Sequence, residues 1–315
     1  MSFKTICLLF IIVWFAWFPK FYSLFVHHRT TARVVFCDVG QGDASLIVDG
    51  DFQLLIDGGP SLDVLSCLTQ NVSPFDHELE WLVLTHADAD HFYGLTSVLQ
   101  TYTVRHLMIY NMAKASDDFY AFYQAVWSQL QVGNLEVVFP ALGARQCLSS
   151  RVCVEVLSEF RDFFPLNIYQ DHQSFENLSD MITKFVPKSY DYNNGSIVLK
   201  LYFDQFSFLF TGDAEEPQEL AILDTGLLTK VDVLKSGHHG SKSSSSPLFL
   251  AAVQPENIVI SCGLENSYGH PHQLTLQRYA DLGAQVWRTD LQGTIVIDFD
   301  DNGYWHWSSP HSLPD

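Results

Sequence analysis

WLVLTHADADHFYGL, residues 81–95, is the stretch on which the fold turns. Residues 81–84 form an apolar run that reads as a buried strand and delivers Thr85 and His86 at its C-terminal end. Four potential metal ligands follow within six residues: His86, Asp88, Asp90 and His91. A tight loop behind a strand lets alternate side chains converge, so it can hold two cations a few ångströms apart. A solvated acidic loop with Asp90 as a helix cap would use similar letters. An H-x-D-x-D-H pattern directly behind a hydrophobic strand argues for ligands instead.

Three later loops share that placement. Residues 209–213, LFTGD, end an apolar strand in a Gly-Asp whose carboxylate can bridge two metals. Residues 235–241, KSGHHGS, follow the strand VDVL and offer His238 and His239. Residues 266–272, NSYGHPH, place His270 and His272 at a helix start, where backbone N–H groups favour an anion. Each loop is weak evidence alone. Strand ends in a sheet sandwich gather along one edge, so together they predict one site.

The rest of the chain supplies the sheets. Residues 33–39, 44–48 and 52–56 read as three strands broken by Gly-Gln-Gly-Asp and Asp-Gly turns, an antiparallel meander. Further strands are expected at 104–109, 135–139, 152–157, 197–203, 206–210, 231–234, 258–261, 285–287, 294–299 and 304–307. Helices are expected at 62–69, 117–131, 215–223, 247–253 and 271–282, with a weak one at 175–185. Each half then holds a mainly antiparallel sheet with attached helices. The fold class is α+β, an αββα sandwich preceded by one hydrophobic helix.

The chain has 315 residues with 47% hydrophobic, enough for one large domain with a real core, which excludes a disordered chain or a coiled coil. Its formal charge of −19 argues against holding nucleic acid through basic patches alone, and fits carboxylates gathered around cations. Residues 6–18, ICLLFIIVWFAWF, are uninterruptedly apolar and, with the greasy 21–26 behind Lys20, reach a membrane span. Residues 1–28 are therefore expected to be a membrane anchor or an uncleaved signal, and 33–308 the catalytic domain. The expected location is membrane-bound on the extracytoplasmic side, or secreted or periplasmic if the segment is cleaved. No two of the six cysteines have CxxC spacing, so a thiolate site is not expected. Cys147 and Cys153 are near enough to bridge a hairpin, but small buried hydrophobes are the main expectation for all six.

The ordered set FCDVGQGDASLIV, LLIDGG, LTHADADHFYGL, NNGSIVLKL, FLFTGDAE, DVLKSGHHGSKSS and NSYGHPH resembles the metallo-β-lactamase superfamily. More narrowly it is similar to the C-terminal hydrolase domain of the ComEC competence channels, over nearly all of 33–307. The resemblance implies a two-metal hydrolase. His86 and Asp88 would serve one metal, Asp90 and His91 the other; Asp213 would bridge, and His238 or its neighbour His239 would close the second site. Asp57 would orient the ligand loop, with Asp38, Gln41, Asp43, Asn194 and Ser196 supporting it or binding substrate. Asp88 stands where zinc-rich members carry His, which hardens the site toward manganese or magnesium relative to zinc. The His usual between the first ligand loop and Gly-Asp is absent.

The implied activity is metal-assisted phosphodiester hydrolysis with two divalent ions, manganese or zinc, with magnesium a further option. Asp90 or Asp213 would position the nucleophile, and His270 or His272, with Ser241 and Lys242, would hold the phosphate or protonate the leaving oxygen. The substrate is DNA or a smaller phosphodiester on an envelope polymer, such as a phosphocholine ester. A non-catalytic uptake or envelope partner is the rival of another class. The chain is expected to be a free-standing, singly anchored relative of the competence proteins, with residues 158–192 a lid or a substrate-shaping insertion.

Overall fold

The computed structural model describes residues 32–159, 169, 191–300 and 303–311. The described residues form two sheets. Strands β1 Ala32–Phe36, β2 Ser45–Asp49 and β3 Phe52–Ile56 make the expected antiparallel meander, with Val35 opposite Leu46 and Leu46 opposite Leu55. Helix α1, Asp63–Asn71, then carries the chain to β4, Glu78–Val83, which runs parallel to β3. Helix α2, Ala89–Thr101, leads to β5, Thr103–Met108, and helix α3, Asp117–Gln131, to β6, Glu136–Val138, both again parallel. Ser116 caps α3 by accepting from the Phe119 N–H, and Asp117 and Asp118 complement the helix dipole.

The second sheet starts with β7, Arg145–Cys147, and β8, Val152–Val156, joined as a hairpin. It continues antiparallel through β9, Leu199–Phe203, and β10, Phe206–Phe210. Helix α4, Glu216–Thr225, brings in β11, Val233–Lys235; helix α5, Pro247–Val253, brings in β12, Asn257–Ile260; helix α6, Gln273–Leu282, brings in β13, Gln285–Arg288. These three strands are parallel to β10. After the short helix α7, Thr289–Gln292, the chain returns to the first sheet as β14, Ile295–Phe299, and β15, Trp305–Ser308. The orders are β15-β14-β1-β2-β3-β4-β5-β6 and β13-β12-β11-β10-β9-β8-β7.

Two expectations are corrected. The sheets are mixed rather than mainly antiparallel, because each helical crossover returns the next strand in the same direction. Nor does each half keep its own sheet: β7 and β8 lie in the second, and β14 pairs with β1. The hydrophobic segment 1–28, the helix at 175–185 and most of 158–192 lie outside the described residues. Among the described residues, no helix is long and apolar enough to cross a membrane.

Aromatic residues hold the sheets together. Phe36 on β1 stacks on Phe210 of β10, Phe203 on Phe299 at 4.5 Å, Phe206 on Trp305 and Trp287 on Trp307. Helices α1 to α3 bury Val64, Leu68, Leu95, Val98 and Phe122 in the same core. A second core, with Leu209, Leu234, Phe249 and Tyr279, lies between the second sheet and helices α4 to α6. Cysteines add covalent ties that the sequence reading gave little weight: Cys37 is bonded to Cys67 and Cys147 to Cys153, while Cys262 is free and buried.

Helix α2 packs unusually closely. A Cβ on Gly94 would lie 2.1 Å from the Gly58 carbonyl oxygen and 2.6 Å from that of Ser61. Only glycine permits that approach. It lets the Gly58 N–H donate to the His91 carbonyl (2.7 Å) and the Gly94 N–H to the Gly59 carbonyl (3.0 Å). The first turn of α2, which carries Asp90 and His91, is thereby seated on the loop after β3.

Candidate metal centre

The loop ends converge as their sequence positions predict. His86 leaves β4 fully buried, Asp88 is the residue before α2, and Asp90 and His91 occupy its first turn. Asp213 follows β10, and His238 and His239 follow β11 in a turn where both adopt left-handed backbone (φ 47° and 53°). Two consecutive left-handed non-glycine residues are costly, and such strain persists where surrounding structure enforces it. Here it swings both imidazoles toward one carboxylate.

Asp213 is the hub. His91 Nε2 lies 3.2 Å from its Oδ1; His239, His238 and His86 present Nε2 at 3.6, 3.7 and 3.9 Å from Oδ2. His86 Nε2 is also 3.6 Å from Asp88, and His239 Nε2 is 3.2 Å from Asp90. Asp90, His91, Asp213 and His239 offer ligand atoms all within 4.8 Å of one another. His86 Nε2, His91 Nε2 and Asp213 Oδ1 are buried without a hydrogen-bond partner. Buried polar atoms left unpaired are expensive, and lone pairs gathered around one carboxylate suit a divalent cation. The residues therefore fit the metal that the ligand pattern implies, and the ligand set contains only nitrogen and oxygen.

Each imidazole is braced from behind, which fixes which nitrogen faces the site. Asp57, itself at φ 59°, accepts from the Thr85 N–H, the Thr85 hydroxyl and His91 Nδ1, each at 2.8 Å. Thr85 Oγ1 lies 3.0 Å from His86 Nδ1, and Ser196 Oγ 3.5 Å from it. His239 Nδ1 faces the Ser261 carbonyl (2.9 Å) and Asp43 (3.3 Å). Asp43 is paired in turn with buried Lys235 at 2.6 Å. His238 Nδ1 contacts Glu215 (3.0 Å), which also accepts from Ser243.

Electrostatics follows from this crowding. Burial opposes charge on His239, but the carboxylates of Asp213 and Asp43 outweigh it and raise its pKa to about 10. His91 is driven the same way, with burial overcome by Asp213 and Asp57. Burial would raise Asp213, yet the imidazoles of His239, His91 and His86 hold it well below the usual carboxylate range. His270 moves oppositely: burial and the neighbouring His238 and His239 push it down to about 4.

A cavity of about 290 Å³ opens onto the hub, lined by Gln41, Asp88, Asp90, Lys114, Asn193, Asp213, His238, His239, Tyr268 and His270 among others. The remaining expected site residues divide between those away from the cavity and those that support its walls. Asp38 is exposed and accepts from the Gly40 N–H, and His272 Nδ1 accepts from the Leu274 N–H as the cap of α6. Ser241 contacts the Ser243 hydroxyl, and Lys242 is exposed; neither lines the cavity. Asn194 accepts from Glu215 N–H and Gln218 N–H, tying its loop to α4, and Ser196 Oγ accepts from the Asp213 N–H. Gln41 accepts from the Gly263 N–H at the cavity wall. Lys114, Glu215 and Lys235 were not anticipated as site residues. Lys235 and Glu215 stand inside quoted motifs, but nothing in the local pattern marks Lys114.

Fold, ligand loops and braces define a class, and the profile of the metallo-beta-lactamase superfamily matches residues 37–263. The chain belongs to that superfamily of metallo-hydrolases. A solved relative in fold, the metallo-beta-lactamase fold protein YhfI from Bacillus subtilis, covers 88% of the chain and 100% of its own at TM-score 0.50 and 11% identity. Within the superfamily its sequence relatives include ComEC-like competence proteins. The chain is 30% identical over 279 residues to ComE operon protein 3 of Bacillus subtilis (strain 168), covering 82% of this chain and 32% of that protein. It is 29% identical over 271 residues to competence protein ComA of Neisseria gonorrhoeae, covering 84% of this chain and 32% of that one. The chain thus spans about a third of the length of these relatives.

Proposed function

We propose that the chain is a divalent-metal-dependent phosphodiesterase with a two-ion centre. The observation that carries this reading is the buried Asp213 carboxylate with four imidazole Nε2 atoms around it, two of them lacking any hydrogen-bond partner. His91, Asp90 and His239 would hold one ion and His86 with Asp88 the other, Asp213 serving both. His238, braced by Glu215, has its Nε2 3.7 Å from the same Asp213 oxygen that His86 faces at 3.9 Å, and would offer a nitrogen to the ion held by His86 and Asp88 where the usual intervening His is absent. Divalent ions held by these residues would make hydroxide available near neutral pH and would offset the negative charge of a phosphodiester.

The chain's own residues complete the site. Asp90 and Asp213 stay ionised at neutral pH and orient the attacking water. His270 is neutral there, so its role is to hydrogen-bond the substrate rather than to bring a positive charge. Tyr268, 70% exposed at the cavity wall and stacked on His270, gives a flat face for a nucleobase or an aromatic leaving group. Together with the competence relatives, that face favours DNA over an envelope phosphocholine ester. The disulfides suit an oxidising compartment, and the apolar run 6–18 supports anchoring in a membrane with the catalytic domain outside the cytoplasm.

The test is metal analysis of the full chain with hydrolysis of single-stranded DNA and bis(p-nitrophenyl) phosphate in manganese, magnesium or zinc. Expected are bound metal, metal-dependent turnover and its loss in Asp213→Asn and His86→Ala. A folded protein that takes up no metal, or turnover indifferent to Asp213→Asn, overturns the reading.

A further inference from the structure

Lys114 lies in the loop after β5 and reaches the cavity of the metal centre, where its ammonium contacts Asp88 Oδ1. Among the described residues that line this cavity it is the one Lys or Arg. The loop is pinned, because the Tyr192 hydroxyl donates to the Ala113 carbonyl (2.9 Å) and the Tyr192 ring lies 5.0 Å from the Lys114 ammonium. Asp88 divides its oxygens: Oδ1 takes Lys114, while Oδ2 faces His86 Nε2 at 3.6 Å. Asp88 can thus remain a ligand with Lys114 in place. An ammonium carries three donors, and Asp88 uses one.

Charge balance says what those donors are for. The lining carboxylates Asp88, Asp90 and Asp213 carry three negative charges. Two divalent ions would leave these lining groups with at most one positive charge, and the Asp57 and Glu215 carboxylates behind His91 and His238 reduce it further. A phosphodiester arriving with its own negative charge then needs one further cation.

We propose that Lys114 seats the anionic oxygen of the substrate, a phosphate-binding lysine built into the wall of the centre. The proposal rests on the phosphodiesterase reading and deepens it. It sets the substrate class as a singly charged or more highly charged phosphoryl group rather than a neutral ester.

The test uses the full chain loaded with manganese, with inorganic phosphate as the probe. Lys114→Gln is expected to weaken phosphate binding by calorimetry at least tenfold, while Lys114→Arg stays within about threefold of wild type. Manganese content, measured in parallel, is expected to be unchanged in both. On bis(p-nitrophenyl) phosphate, Lys114→Gln is expected to raise KM more than it lowers kcat. Equal phosphate affinity in wild type and Lys114→Gln overturns the proposal. So does a loss that simply tracks a loss of manganese, since Lys114 would then serve only as the partner of Asp88. If wild type cleaves no diester while phosphate binding still depends on Lys114, the activity reading fails and the anion seat stands. If cleavage occurs with KM indifferent to Lys114, the seat fails and the activity reading stands.

Discussion

Gly94→Ala tests the link between helix packing and the metal centre. The added methyl would sit 2.1 Å from the Gly58 oxygen, 2.6 Å from the Ser61 oxygen and 2.9 Å from Val64 Cγ1. Two of these are backbone atoms that cannot rotate away, so α2 must lift by about 1 Å to regain ordinary contact distance. Overpacking of this kind costs about 1–3 kcal/mol. Straining the two backbone hydrogen bonds to the Gly58–Gly59 loop adds about 1 kcal/mol. The higher helix propensity of alanine returns roughly 0.5–1 kcal/mol. The expected net loss is about 2 kcal/mol in urea unfolding of the chelator-treated protein followed by circular dichroism. Asp90 and His91 ride on the lifted helix while Asp57 and Asp213 do not, so metal affinity is expected to fall about tenfold, the low end of effects seen when ligand supports move. A Gly94→Ala protein as stable as wild type, with unchanged metal affinity, would refute the claim that this contact positions the ligands.

Lys235→Met strips the buried Asp43 of its lysine partner, leaving the His239 imidazole beside it, and is expected to cost about 3 kcal/mol in urea unfolding, as for other broken buried pairs; adding Asp43→Asn should recover part of that loss. The pH response has a definite sign. His239 is raised from 6.5 to about 10, so its contribution is fully present below 6.5 and fades as pH rises through 10. Asp213 is lowered from 3.8, so its contribution is present above 3.8 and fades on acidification. Thermal melts of chelator-treated protein should therefore peak between these values and decline toward pH 10, while apparent metal affinity climbs over that alkaline range because binding displaces protons. The Cys37–Cys67 bridge spans 30 residues, and opening it by a Cys37→Ala/Cys67→Ala double variant should cost about 3–4 kcal/mol on the chain-entropy estimate, read as a lowered urea midpoint.

The loops that converge on Asp213 were legible because imidazoles and carboxylates are rare directly behind apolar runs. The meander of β1 to β3 was legible from its alternating turns. Helix α2 was not expected: Phe92, Tyr93, Gly94 and Thr96 are indifferent helix formers, and tertiary packing at Gly94 decides the matter. Parallel pairing was missed because a strand buried on both faces shows the same continuous apolar run whichever way its neighbour points. Lys235 and Asp43 are 192 residues apart, so their pairing leaves no local mark. Lys114 stands alone in an unpatterned loop. Of the histidine pair, both were candidates, and only the left-handed turn reveals that both reach Asp213.

Asp90 and His239 meet at 3.2 Å although 149 residues separate them, and the carbonyl that braces His239 belongs to Ser261. The cluster around Asp213 therefore cannot assemble until segments of both sheets have folded together. Whatever chemistry that cluster carries is tied to completion of the fold.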